Sequence, residues 1–191
     1  MGDEQEWPKF KSKVYSLIYR NPKSNRLLVE IAELAPDDRV LDIGCGPGAA
    51  VRGAAAVVTD GRAVGVDRSP SMIEIARKRA AEFDNVGFAV GQAEEIPFPD
   101  DSFTVAWTAH AFHHWVDTDA GLIETRRVLA PGGRLLIVES KTTGEHGFSL
   151  DRAMDVQFKL VELGFADAAV ELHKKTYFVG ARVPAATSAT T

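Results

Sequence analysis

The sequence predicts an α/β fold: a doubly wound, mostly parallel seven-stranded sheet with helices on both faces and a C-terminal antiparallel hairpin. Three observations carry that expectation. Short apolar runs alternate with amphipathic stretches from Arg39 onward. Two of the runs, Val40-Leu41-Asp42-Ile43 and Leu135-Leu136-Ile137-Val138, are nearly continuous, as strands covered on both faces require. The last two runs, Ala168–His173 and Lys175–Arg182, are joined too tightly for a helical crossover and must pair antiparallel.

The elements follow in order. A helix over Lys9–Arg20 would gather Phe10, Val14, Leu17 and Ile18 on one side, Asn21-Pro22 breaks it, and Ser24 caps a second helix over Asn25–Leu34. Strands are expected at Arg39–Ile43, Ala63–Asp67, Val86–Val90, Phe103–Thr108 and Arg134–Glu139. Helices lie between them near Ala49–Val58, Ser71–Phe83 and Asp119–Leu129, with right-handed crossovers. A further helix, Leu150–Leu163, ends at Gly164. The chain divides into an N-terminal helical lid (1–35), one α/β domain (36–183) and a disordered tail (184–191) rich in Ala, Ser and Thr.

Composition bounds the function. The 191 residues are 45% hydrophobic and 26% charged, with formal net charge −5. A chain of this size buries about 70% of its unfolded surface and needs no disulfide or metal staple. One cysteine, Cys45, cannot form an internal bridge, no apolar run reaches membrane-spanning length, and the start of the chain is too acidic for a secretory signal. A cytoplasmic protein without membrane contact is the expectation. Between Lys9 and Arg26 there are six Lys and Arg residues and no acid, whereas Ala80 to Thr125 holds nine acids and no Lys or Arg. Such a distribution argues against nucleic acid as a partner.

The chemistry concentrates at Val40-Leu41-Asp42-Ile43-Gly44-Cys45-Gly46-Pro47-Gly48-Ala49, a buried strand running through a glycine turn into a helix. Bare backbone in such a turn admits a ligand, and the helix start beyond it offers free N–H groups. Asp67 closes the next strand, 19 residues after Gly48. A carboxylate there suits the two hydroxyls of a ribose. The spacing Gly44-x-Gly46-x-x-Ala49 also satisfies a loose dinucleotide fingerprint. Against a pyrophosphate stand Pro47 within the turn and Asp42 just before it, whose charge favours an ammonium or sulfonium ligand.

These segments resemble the class I (Rossmann-like) S-adenosylmethionine-dependent methyltransferases, in particular those acting on small molecules. Val40–Gly48 is similar to the family's first motif, Gly65–Met72 to its second, Gly91–Phe98 to the segment at the adenine edge, and Arg127–Arg134 to the turn entering the fifth strand. The sequence departs from the family at Gln92 and Thr104, where Asp is usual. The resemblance implies S-adenosylmethionine as cofactor and S-adenosylhomocysteine as product. It places Asp42, Gly44 and Gly46 at the methionine half, Asp67 at the ribose, Met72 against adenine and Gln92 with Ala93 at the base. Thr108 and Ala109 would flank the sulfonium, with Cys45, Gly48, Arg68 and Glu94 completing the cofactor set.

Methyl transfer needs alignment first, and a base only where the nucleophile starts protonated. His110, His113 and His114, just after the fourth strand, are the candidate bases, since imidazole titrates near neutrality. The adjacent His113-His114-Trp115 is also compatible with a purely structural loop. No metal-ligand spacing is present. Trp7, Phe10, Tyr15 and Tyr19, interleaved with lysines, suit a lid over an anionic or aromatic small-molecule acceptor. The short segment Ser140 to Ser149 implies an open acceptor site, or one completed by a second subunit; the chain would act as monomer or homodimer. A nicotinamide-dependent (NAD(P)) oxidoreductase and a non-catalytic cofactor-binding protein are the alternatives.

Overall fold

The computed structural model describes residues 28–141 and 148–186. The expected helix Lys9–Arg20, the start of the helix before Leu34, the lid aromatics, segment 142–147 and tail residues 187–191 lie outside the described residues. Seven strands form one sheet: β1 (Arg39–Ile43), β2 (Arg62–Asp67), β3 (Val86–Val90), β4 (Phe103–Ala109), β5 (Leu129–Ser140), β6 (Ala166–His173) and β7 (Thr176–Arg182). Their order is β3-β2-β1-β4-β5-β7-β6. The first five strands pair in parallel, whereas β7 pairs antiparallel with both β5 and β6. The expected C-terminal hairpin is therefore present, inserted so that β7 lies beside β5.

Among the described residues, helices α1 (Ala49–Ala55), α2 (Pro70–Arg79), α3 (Thr118–Val128) and α4 (Leu150–Glu162) pack on the sheet. Alternate strand residues feed two separate cores. Leu41, Ile43, Val64 and Val66 pack with Leu122 and Val128 of α3 and with Ala153, Val156 and Leu160 of α4. Val40, Ala63, Val105 and Trp107 pack with Val51 and Ala54 of α1, Ile73 of α2, and Leu28 and Ala32. Local chemistry sets the helix starts. Ser69 accepts a hydrogen bond from the Met72 N–H with Pro70 in the first turn, Asp117 from the Ala120 N–H, and Ser149 from the Arg152 N–H.

Several boundaries differ from the sequence reading, α2 ending at Arg79 rather than Phe83 among them, and two have clear physical reasons. α1 stops at Ala55 rather than Val58, because turns over Val57 to Gly61 return the chain to β2. β5 begins at Leu129, which pairs with Phe103; a register shift absorbs the following turn, with Gly132 at φ 80°, before Arg134 pairs with Val105. At the N-terminal end of the sheet, Arg134 donates to Asp38 and to the Ala32 and Glu33 carbonyls, fastening the entering segment. Burial pushes the Asp38 carboxyl up, but hydrogen bonds from Thr104, the Ala35 N–H and Arg134 outweigh it and hold the group below its usual range.

The chain leaves β1 and β4 in opposite directions around the sheet, so their C-terminal ends border a crevice of the kind where open α/β sheets bind ligands.

Candidate active site

The wall of that crevice is the turn from Gly44 to Gly48. The Gly44 and Cys45 N–H groups donate to the Val66 carbonyl at 2.8 and 3.0 Å, which ties the turn to the end of β2. Glycine is required at Gly44, where φ is 78° and a Cβ would lie 2.5 Å from the Ala111 Cβ of the loop after β4. It is required again at Gly48, where φ is 71° and a Cβ would lie 2.8 Å from the Phe88 ring. Gly46 differs, since a Cβ there meets nothing within 4 Å. The outer side of the turn is thus open for a ligand against bare backbone.

Two carboxyls sit behind the turn. Asp67 accepts from the Gly46 N–H at 2.8 Å and from the Ser69 N–H at 2.9 Å, one bond to each oxygen. A carboxylate has about four lone-pair sites, so acceptor capacity remains for hydroxyls. Burial pushes this carboxyl up, and the two N–H groups and Arg68 pull against that rise. Asp42 is buried opposite Trp107 in the β1–β4 register. Burial pushes the Asp42 carboxyl up to about 7; the neighbouring Asp67 charge adds to the rise and the Trp107 indole opposes it. The indole influences Asp42 without completing a bond: Trp107 Nε1 has no partner of hydrogen-bond geometry. A buried acid beside an unsatisfied donor makes a place whose polar groups are not fully served by the protein itself.

The expected residues divide. Asp42, Gly44, Cys45, Gly46, Gly48 and Asp67 come together around the turn, with the exposed Arg68 beside them. Met72 is buried in the first turn of α2, and Ala93 is buried after β3, while Gln92 is exposed. Glu94 accepts from the Val116 and Asp117 N–H groups, joining the loop after β3 to the start of α3. Ala109 is half-buried, but Thr108 is fully buried with its hydroxyl unpartnered. Cys45 is packed against Gly65, and burial pushes its thiol well above the usual range, so it is neutral and unreactive. Thr104 lies at the start of β4, at the other end of the strand from the turn; its hydroxyl donates to Asp38 and accepts from the Arg39 N–H. That departure from the family pattern is structural.

The three histidines follow β4, on the segment whose Ala111 packs against Gly44. His113 Nδ1 lies 3.0 and 3.1 Å from the two oxygens of Glu139, and the His113 N–H also donates to Glu139. Glu139 is 2% exposed. A carboxylate accepts only, so in the neutral ring this contact puts the proton on Nδ1 and leaves the lone pair on Nε2. His110 Nδ1 lies 3.3 Å from Ser140 Oγ. Burial pulls the His110 imidazole below its usual range, and His113 adds to the fall while Glu139 opposes it. His114 is exposed and stacks on His113, ring centres 3.9 Å apart. Phe112 packs on Trp115 at 4.7 Å and on Phe148 at 6.1 Å.

Glu139 and Ser140 were not among the sequence candidates. The available signal was an acid closing the apolar run Leu135–Val138, as Asp67 closes the β2 run. A separate groove of about 630 Å³ is lined by Val90, Gly91, Ile96, Pro97, Glu124 and Arg127 among others. None of the expected site residues lines it.

Comparison with known proteins shows the family. A family model described as a methyltransferase domain matches residues 41–137, which is 97 of the 191 residues. The chain belongs to the class I S-adenosylmethionine-dependent methyltransferases. Among curated relatives, the uncharacterized methyltransferase YcgJ of Bacillus subtilis is 39% identical over 115 residues, covering 59% of this chain and 45% of that protein. Demethylmenaquinone methyltransferase of Symbiobacterium thermophilum is 35% identical over 122 residues, covering 62% of this chain and 49% of that protein. These alignments span less than half of each relative's length. In fold, the chain is similar to a SAM-dependent methyltransferase from Aquifex aeolicus, with TM-score 0.74 at 23% identity over 92% of this chain and 98% of that one. The family membership leaves the nicotinamide reading without support. The residues present fit the methyltransferase cofactor: an open glycine turn, a carboxylate with spare acceptor sites and a second buried acid suited to a cation. Among the described residues no helix is long and apolar enough to cross a membrane.

Proposed function

We propose that the chain transfers a methyl group from S-adenosylmethionine to a small-molecule acceptor whose hydroxyl or carbon acid surrenders its proton to His113. The carrying observation is the His113–Glu139 pair at 3.0 Å, which joins the turn after β4 to the C-terminal end of β5. A small-molecule acceptor is supported by the menaquinone-named relative.

Asp67 would hold the ribose, and Gly44 to Gly48 would lie against the methionine half with Asp42 behind them. When bound, the cofactor supplies an electrophilic methyl on a sulfonium. The protein's own part is alignment, exclusion of water and removal of a proton. Glu139 fixes the His113 tautomer, so Nε2 is the atom that receives the acceptor's proton, and the resulting imidazolium remains paired with the carboxylate. The Phe112, Trp115 and Phe148 rings keep the base on a dry support. His110 faces the Ser140 hydroxyl, whereas His113 is paired with the buried Glu139 carboxylate, and the base role falls to His113.

The test measures S-adenosylhomocysteine release over a panel of phenols, enols, alcohols and amines, with wild type and His113→Gln. Removing a general base lowers turnover by about 10²- to 10⁴-fold. The reading expects that loss for hydroxyl and carbon acceptors, with S-adenosylhomocysteine affinity unchanged. Full turnover by His113→Gln, or turnover restricted to amines, would refute it.

A further inference from the structure

Beyond β4 the chain has to meet two anchors that are consecutive residues of β5. The His110 N–H donates to the Val138 carbonyl at 2.8 Å, one bond past the pairing of Ala109 with Val138. His113, three residues later, meets the carboxylate of Glu139 through both its backbone N–H and its ring Nδ1. A strand that continued from His110 would carry His113 about 10 Å onward, whereas neighbouring residues of β5 are about 3.3 Å apart. The chain must therefore fold back at once.

The reversal is made at His110. Its φ is 54°, in the left-handed region, and Ala111 after it returns to φ −132°. Most side chains enter that region at a cost, and histidine is among the few enriched there. A 3-10 turn over Phe112–His114 follows, with the His114 N–H donating to the Ala111 carbonyl at 3.0 Å. Phe112 is fully buried and packs on Trp115 and Phe148, which seats the turn. The same reversal lays Ala111 against Gly44, so close that a Cβ on Gly44 would lie 2.5 Å from the Ala111 Cβ. The His110 ring is held less closely than its backbone, with Nδ1 3.3 Å from Ser140 Oγ.

We propose that His110 serves the reaction through its backbone and not through its imidazole: the left-handed turn at this residue sets Ala111 on Gly44 and delivers His113 to Glu139. His110 is a positioning residue, and its conformation fixes the base segment relative to the glycine turn. This role rests on the reading of His113 as the base and removes His110 from the candidate bases. A residue at ease with positive φ should replace it, and a β-branched one should not.

The readout is the ring N–H of His113. A carboxylate accepts only, so Nδ1 carries a proton opposite Glu139 in the neutral and the charged ring alike. The full chain is grown with ring-labelled histidine, saturated with S-adenosylhomocysteine and cooled to slow exchange, and a proton–nitrogen correlation spectrum records that proton. His113→Gln identifies the signal by removing it. His110→Gly and His110→Asn should keep it, with S-adenosylhomocysteine affinity by calorimetry within about threefold of wild type. His110→Val should lose it while circular dichroism shows a folded protein. Loss of the signal in His110→Gly or His110→Asn, or its persistence in a folded His110→Val, would overturn the proposal. Where His110→Val does not fold, the glycine and asparagine variants decide, because a catalytic imidazole or a needed ring contact would fail in both. A wild type that binds S-adenosylhomocysteine but lacks the signal overturns the base assignment together with this role. A wild type that binds none sinks the methyltransferase reading as well.

Discussion

Replacing Asp42 by Asn should make the ligand-free protein more stable and the cofactor site worse. Asp42 is 3% exposed, and burial lifts its carboxyl from 3.8 to about 7, with Asp67 adding to the rise and Trp107 opposing it. Below pH 3.8 the group is protonated in both folded and unfolded chains and contributes no pH dependence. As pH rises from there to about 7, the unfolded chain ionises first and stability falls. Above 7 the loss is complete, at about 4 kcal/mol, since each pKa unit is worth about 1.4 kcal/mol. Asn keeps the shape without the charge, but a buried amide with imperfect partners gives back about 1–2 kcal/mol. The net gain at pH 8 is about 2–3 kcal/mol, which for a chain of this length raises Tm by about 5–10 °C. At pH 5, where the carboxyl is still protonated in the fold, most of the gain should vanish. Thermal unfolding at the two pH values measures both, and addition of S-adenosylhomocysteine should raise Tm far less in the variant than in the wild type. An unchanged or lower Tm at pH 8, or a gain equally large at pH 5, would refute the reasoning. Such a residue, harmful to stability and placed at a ligand crevice, is what a stability–activity trade-off looks like at one position.

Other substitutions probe separate parts of the account. Gly44→Ala forces a Cβ to 2.5 Å from Ala111 Cβ at φ 78°, and should cost about 2–4 kcal/mol by urea unfolding, partly restored by adding Ala111→Gly. Thr104→Val removes the hydroxyl that donates to Asp38 and accepts from the Arg39 N–H; it should cost about 1–3 kcal/mol while calorimetry finds S-adenosylhomocysteine affinity unchanged. Glu139→Gln leaves the His113 ring without a charged partner. It should lower methyl transfer to hydroxyl acceptors by about a hundredfold, with cofactor affinity within about threefold of wild type.

What the sequence revealed follows from how local each feature is. The β1 strand, the glycine turn and Asp67 could be read directly, because each is a short run whose residue types carry the geometry. The sheet's hairpin was legible for the same reason, from the tight joint before Lys175. Glu139 was not, since its meaning depends on β4 and β5 lying side by side, which brings a residue at the end of one strand to a histidine 26 positions earlier. The structural role of Thr104 was not legible, since it depends on a residue that only the fold brings near. Its partner Asp38 is 66 residues away. The early start of β5 was hidden by Pro131-Gly132-Gly133, which reads as a turn and is accommodated as a register shift.

The central claim is that Asp67 and the glycine turn hold S-adenosylmethionine and its product. It is tested most directly by calorimetric titration of S-adenosylhomocysteine into wild type and Asp67→Ala, with NAD as control. The account predicts one binding site in the wild type, heat lost in Asp67→Ala while the variant remains folded, and none with NAD. Absence of binding to the wild type, or equal binding by both proteins, would contradict it.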